Sequence, residues 1–165
     1  MKKLISLAIV VGVCAAAVFA LPASAHRAHS ATTRAKLMVR KGKFGKYVVD
    51  GRGFSLYLFE KDKGGKSACY SSCAKVWSPL VTSGKPTAGS GVTASKIGTT
   101  KRKDGKLQAT YGGHPLYHYD DDHKAGQIQG EGSKAFGASW YILAPSGKKI
   151  DKSYGPGGRV SALPR

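Results

Sequence analysis

Acidic residues are scarce. The 165-residue chain carries nine Asp and Glu against 27 Lys and Arg, a formal net charge of +18. A field of that sign repels basic partners and gathers anionic ones. Methionine is nearly missing, with two residues, and cysteine is limited to three, Cys14, Cys69 and Cys73. There is no thioether-rich stretch of the kind that selects soft copper. There is no G-x-S-x-G, no H-E-x-x-H and no phosphate loop, so the familiar hydrolase, zinc-protease and nucleotide sites are excluded. A glycosidase carboxylate pair needs no motif, and that route alone stays open. The expectation is a non-catalytic protein.

Long apolar runs are also missing, with one exception. Lys2 and Lys3 precede an uncharged apolar stretch over residues 4–21, and Ala23-Ser24-Ala25 closes it with a small-x-small pattern. That is the layout of a secretory signal peptide, residues 1–25, cleaved after Ala25. The competing reading is a retained N-terminal anchor. Without Lys2 and Lys3 the remaining chain still balances at +16, from 25 basic and nine acidic residues. The expected destination is secreted, periplasmic or cell-envelope. Intracellular nucleic acid is then not the expected partner; an anionic polymer or envelope surface is.

What is present is a repeat. Residues 36–62 align without a gap on residues 96–122 at a constant offset of 60, with nine identities that include Gly53/Gly113, Leu56/Leu116, Tyr57/Tyr117 and Asp62/Asp122. Such self-similarity makes the protein two copies of one supersecondary unit. Aromatic and β-branched runs broken by glycine turns, with Asp104-Gly105 as a hairpin signal, predict strands. Each copy reads as a three-strand meander, over 36–41, 46–50 and 54–60, then over 96–102, 106–111 and 114–120. The fold class is mainly β: two tandem pseudo-symmetric meanders forming one small sandwich or barrel, with a short helical turn at residues 71–76 leading into Trp77. Leu56 to Phe59 is apolar on both faces and reads as a central strand. In the copy His118 replaces Leu58, which predicts a wetter face or a cleft. The expected division is a flexible leader 26–35, repeat 1 over 36–82, a connector 83–95, repeat 2 over 96–144 and a flexible basic tail 145–165.

The segments Tyr57-Leu58-Phe59-Glu60-Lys61-Asp62 and Tyr117-His118-Tyr119-Asp120-Asp121-Asp122 both read Tyr-x-aromatic-x-x-Asp. With Cys69, Cys73 and Trp77-Ser78-Pro79-Leu80 they resemble the bacterial secreted or lipoprotein repeats named for that motif, a family of unknown function. The resemblance spans about residues 36–145. It implies export and a repeat architecture, and it transfers no catalytic residue. Many relatives look like lipoproteins. This chain departs from them, because Cys14 lies inside the apolar run behind Val13.

Three clusters invite chemistry. Cys69 and Cys73 are an even pair in an exported chain, which points to a disulfide. On a regular helix i and i+4 Cβ atoms lie about 5–6 Å apart, whereas a disulfide needs about 3.5–4.5 Å. A bond therefore requires Cys69 in the turn before the helix. A dithiol switch or a copper-type pair is the alternative. Asp120, Asp122 and His123 offer ligands for a divalent cation, against a turn-capping role for Asp62 and Asp122. His114 and His118 stand about 13 Å apart on a strand and cannot share an ion. The aromatics Tyr57, Phe59, Tyr117, Tyr119, Trp77 and Trp140 form either a core or a stacking platform for sugars, and core is the favoured role. Lys41, Lys43 and Lys46, with Lys101, Arg102, Lys103 and Lys106, should form two basic stripes at the first hairpins. The functional expectation is an exported, non-catalytic basic β module that binds anionic material without a cofactor. The alternatives are a metal or thiol-redox protein and a purely structural envelope protein.

Overall fold

The computed structural model describes residues 33–151. The expected signal peptide, leader residues 26–32 and tail residues 152–165 lie outside the described residues. In chain order the elements are β1 (Lys36–Gly42), β2 (Gly45–Asp50), β3 (Tyr57–Phe59), α1 (Ser72–Val76), β4 (Trp77–Pro79), β5 (Thr87–Ala88), β6 (Ile97–Lys101), β7 (Leu107–Tyr111), β8 (His114–Pro115), β9 (Tyr117–Tyr119) and β10 (Trp140–Ile142). They form three sheets, ordered β2-β1-β5, β10-β3-β9-β4 and β6-β7-β8. The fold is mainly β with one five-residue helix among the described residues, and its sheets do not close into a barrel.

The predicted meanders form, and the third strand of each then runs on into another sheet. The first two strands of each copy do form hairpins, β1 with β2 and β6 with β7. The third strand does not stay with its own hairpin. In repeat 1 only a Val49–Ser55 bridge holds it there, and in repeat 2 only the two-residue β8. Beyond Leu56 and Leu116 the chain turns into the central sheet instead. There β3 lies antiparallel to β9 with Tyr57 opposite Tyr117. On the flanks Trp140 of β10 lies opposite Phe59, and Trp77 of β4 opposite Tyr119. Every pairing in the central sheet thus joins one repeat to the other, about a pseudo-twofold axis at Tyr57 and Tyr117.

Alternation along these strands separates two cores. Leu56, Leu58, Leu116 and Leu143 pack with Leu37, Val48, Ile97 and Ala109 into an aliphatic core. Tyr57, Phe59, Tyr117, Trp140 and Ile142 pack with Trp77 and both cysteines into an aromatic one. The run over residues 56–59 is fully buried, as its two apolar faces predict.

The connector and residues 145–151, the described start of the expected flexible tail, are both ordered. In the connector, Thr87 and Ala88 add a parallel strand to β1. The nearest part of the tail folds back. Leu143 bridges Lys149, and the Ile150 amide donates to Ile142. Gly112, at φ 58°, lies so close to Gly147 that a Cβ there would meet its Cα at 2.9 Å. Tyr111 donates to the Pro145 carbonyl at 2.7 Å and fixes the turn. Few apolar side chains are needed, because backbone hydrogen bonds and one glycine contact hold this segment.

Candidate functional site

The two motifs complete each other across the axis. The Tyr57 hydroxyl donates to Asp122 Oδ2 at 2.6 Å, and the Tyr117 hydroxyl donates to Asp62 Oδ2 at 2.8 Å. Each tyrosine therefore binds the aspartate of the other copy. The second carboxylate oxygen closes a loop in its own copy: Asp62 Oδ1 accepts the Ala68 amide at 2.7 Å, and Asp122 Oδ1 the Gln129 amide at 2.9 Å. The turn-capping role expected for both aspartates is what the geometry shows. Burial raises the Tyr57 pKa, and the Asp122 carboxylate adds to it, so the hydroxyl stays a donor. Burial likewise raises Tyr117, with the charge of Asp62 behind it.

The ring positions are exchanged in the same way. Phe59 of repeat 1 stacks on Trp140 at 3.9 Å, and Tyr119 of repeat 2 lies against Trp77 at 4.4 Å. Trp77 and Trp140 stack on each other at 3.9 Å and 6°. The result is a four-ring column, Phe59–Trp140–Trp77–Tyr119, of which only Tyr119 is partly exposed. A sugar-stacking platform is ruled out at these rings, since five of the six expected aromatics are buried in the core. Gly130 lies flush on the column, where a Cβ would meet Trp77 at 2.6 Å.

The cysteines are joined as a disulfide with Cα atoms 5.2 Å apart. Cys69 precedes α1 and Cys73 lies in its first turn, which is the placement the spacing requires. Arg102 pins this loop. Its Nη1 donates to Ser67 Oγ at 2.8 Å and Gln108 Oε1 at 2.7 Å, and its Nη2 to the Cys69 carbonyl at 2.8 Å. Ser67 Oγ also lies 2.8 Å from the Tyr117 hydroxyl. Arg102 is therefore buried, at 4 % exposure, and does not join the expected basic stripe. Sequence gives no hint of this, because arginine in a lysine-rich hairpin reads as surface. The other six stripe residues, Lys41, Lys43, Lys46, Lys101, Lys103 and Lys106, are exposed at the β1–β2 and β6–β7 hairpins. None of them makes an ion pair among the described residues.

Burial drives the Asp62 pKa up to about 6, although the Ala68 amide, the Tyr117 hydroxyl and Arg102 pull it back. Asp50 behaves oppositely. Burial raises its pKa, but His118 and the amides of Phe54 and Arg52 outweigh that and bring it down to about 2. His118 Nε2 and Arg52 Nε each lie 3.2 Å from Asp50 Oδ2. His118 does line a cleft, as its exchange for Leu58 predicts. This Asp–His–Arg group was not expected from sequence, since Asp50 is 68 residues from His118 and has Thr110 as its counterpart.

The cation site proposed at Asp120, Asp122 and His123 does not assemble. Asp122 is buried and committed to Tyr57 and Gln129, while Asp120 and His123 are exposed. Among the described residues no group of three His, Cys, Asp or Glu side chains is placed to hold a metal ion. No helix of the described residues is long and apolar enough to cross a membrane.

A family model described as a secreted repeat of unknown function matches residues 38–81 and again residues 98–144, which together make up more than half of the chain. The two matched spans coincide with the two pseudo-symmetric halves. No curated protein and no solved structure matches the chain significantly.

Proposed function

The chain belongs to the family of secreted repeats of unknown function, and from that premise we propose that it is an exported, non-catalytic basic β module that binds anionic polymer at the cell envelope or outside the cell. One observation carries this reading: six exposed lysines stand at two hairpins without an ion pair among the described residues, while the motif residues are used up inside the fold. A basic surface attracts polyanions through counterion release, so its affinity must depend on salt. Six lysines on two hairpins suit an extended ligand with charge along its length.

The test is retention of the exported protein on heparin or an anionic envelope polymer as salt is raised. Affinity is expected to fall linearly on a logarithmic salt scale. Tight binding indifferent to salt would refute the electrostatic mechanism. Failure to bind any polyanion at low salt would leave a purely structural envelope role.

A further inference from the structure

The fold builds one cleft twice. The first, an open cleft of about 750 Å³, is formed by the 58–62 stretch of repeat 1 with His114 of repeat 2 in its wall. The second, of about 330 Å³, is formed by the 118–122 stretch of repeat 2 with Phe54 of repeat 1 in its wall. Positions 54 and 114, 58 and 118, and 62 and 122 are each 60 apart. The two clefts are therefore related by the axis that relates the motifs. Their chemistry is not alike.

The second cleft neutralises itself. His118 and Arg52 both engage Asp50, and the acid Asp120 stands beside them. In the first cleft the corresponding positions are Leu58 and Thr110, so no such network exists. Instead Lys63, Lys148 and Lys149 line it. Of its two acids, Glu60 is tied to Lys149 at 2.6 Å, and Asp62 is taken up by Tyr117 and Ala68. Lys63 and Lys148 are exposed and make no ion pair among the described residues. The half-buried His114 imidazole has no hydrogen-bond partner there either. Burial lowers its pKa, which keeps one ring nitrogen a donor and the other an acceptor at neutral pH.

We propose that this first cleft is a binding site for an acidic carbohydrate segment. Its sulfate or carboxylate groups meet Lys63 and Lys148, and a sugar hydroxyl exchanges hydrogen bonds with His114. The cleft volume lies within the roughly 300–1,000 Å³ usual for small-ligand sites. The stems of the exposed Lys63 and Lys148 offer C–H surface to a sugar ring. A neutral imidazole suits a hydroxyl better than a bare anion, which favours a sugar over an inorganic polyanion. The inference rests on the polyanion reading above and assigns that reading a site.

The test is calorimetric titration of the full exported chain with a heparin tetrasaccharide, an uncharged tetrasaccharide and inorganic polyphosphate. For the heparin tetrasaccharide, Lys63→Glu combined with Lys148→Glu is expected to weaken binding by about tenfold or more, as two reversed charges against an anionic ligand should. His114→Phe, which installs the residue of the twin cleft, is expected to weaken it by about fivefold through one lost hydrogen bond. Lys41→Glu with Lys103→Glu, at the hairpins, should change this short ligand's affinity by less than about threefold, while weakening long heparin more. Unchanged tetrasaccharide affinity in the Lys63/Lys148 variant, with wild-type heparin binding intact, would overturn the cleft and spare the polyanion reading. No heparin binding by the wild type at low salt would overturn both. Equal binding of the uncharged sugar would overturn the acidic ligand. Polyphosphate binding tighter than the tetrasaccharide, with His114→Phe without effect, would overturn the carbohydrate.

Discussion

Repeat 1 and repeat 2 share a backbone plan and close their loops differently. After Asp62 the chain is stapled by Cys69–Cys73 and pinned by the buried Arg102 of the other repeat. After Asp122 there is no disulfide; the Gln129 side chain bonds back to the Asp121 carbonyl, and Gln127 accepts the Lys124 amide. The central strands diverge as well, with Leu58 in one copy and His118, held by Asp50, in the other. What neither copy has changed is the exchange of Tyr and Asp across the axis. The shared Tyr and Asp therefore hold the halves together, while the cleft positions 54/114 and 58/118 have diverged around them.

The largest effect should come from separating the halves. A fragment of residues 33–92 lacks every partner strand of the central sheet and is expected to show no cooperative unfolding as a monomer. A monomeric fragment that melts cooperatively would mean the repeats fold independently. Next, Trp140→Ala and Trp77→Ala should each cost about 3–5 kcal/mol in chemical denaturation, as large-to-small core changes do. The milder Trp→Phe exchange separates the two sites. Trp140 Nε1 donates to the Ala135 carbonyl at 3.0 Å, whereas Trp77 Nε1 is buried without a partner among the described residues. Trp140→Phe should therefore cost about 1 kcal/mol more than Trp77→Phe.

Replacing Cys69 and Cys73 together by serine should destabilise by about 2 kcal/mol, the loop-entropy value for so short a loop. It should also loosen repeat 1 selectively, seen as faster amide exchange around Ala68 than around Gln129. The smallest effect is on pH dependence, where two aspartates of repeat 1 pull in opposite directions. Asp62, raised to about 6 from an unfolded value of 3.8, contributes stability that is full below pH 3.8 and lost as pH climbs through 6. Asp50, lowered to about 2, contributes stability that is full above pH 3.8 and lost as pH falls through 2. Each effect should be on the order of 1 kcal/mol after solvent screening. Asp62→Asn should flatten the decline between pH 4 and 6, and Asp50→Asn the decline between pH 4 and 2.

Much of this fold was legible in the chain. The offset of 60, the glycine turns and the alternation over residues 56–59 read out as hairpins and a buried central strand. The cysteine spacing placed Cys69 ahead of the helix. The exchange of His118 for Leu58 marked the wetter of the two matched positions. What did not read out was anything that depends on which copy a group faces. Tyr57 lies five residues from Asp62, so sequence favours a local pair, and only the antiparallel register of Tyr57 on Tyr117 brings Asp122 to it instead. Arg102 and the turn at residues 144–150 were missed for a related reason. Their partners, the Cys69 carbonyl and Gly112, are more than 30 residues away and leave no local pattern.

The central claim, that the motif acts between copies, is tested most directly by a double-mutant cycle at equilibrium. Tyr57→Phe and Asp122→Asn, alone and together, should show a coupling of about 1.5–3 kcal/mol, the range for a hydrogen bond to a charged partner. Tyr57→Phe with Asp62→Asn, within one motif, should couple by about 0.5 kcal/mol or less. Strong coupling of Tyr57 to Asp62 and none to Asp122 would contradict the account.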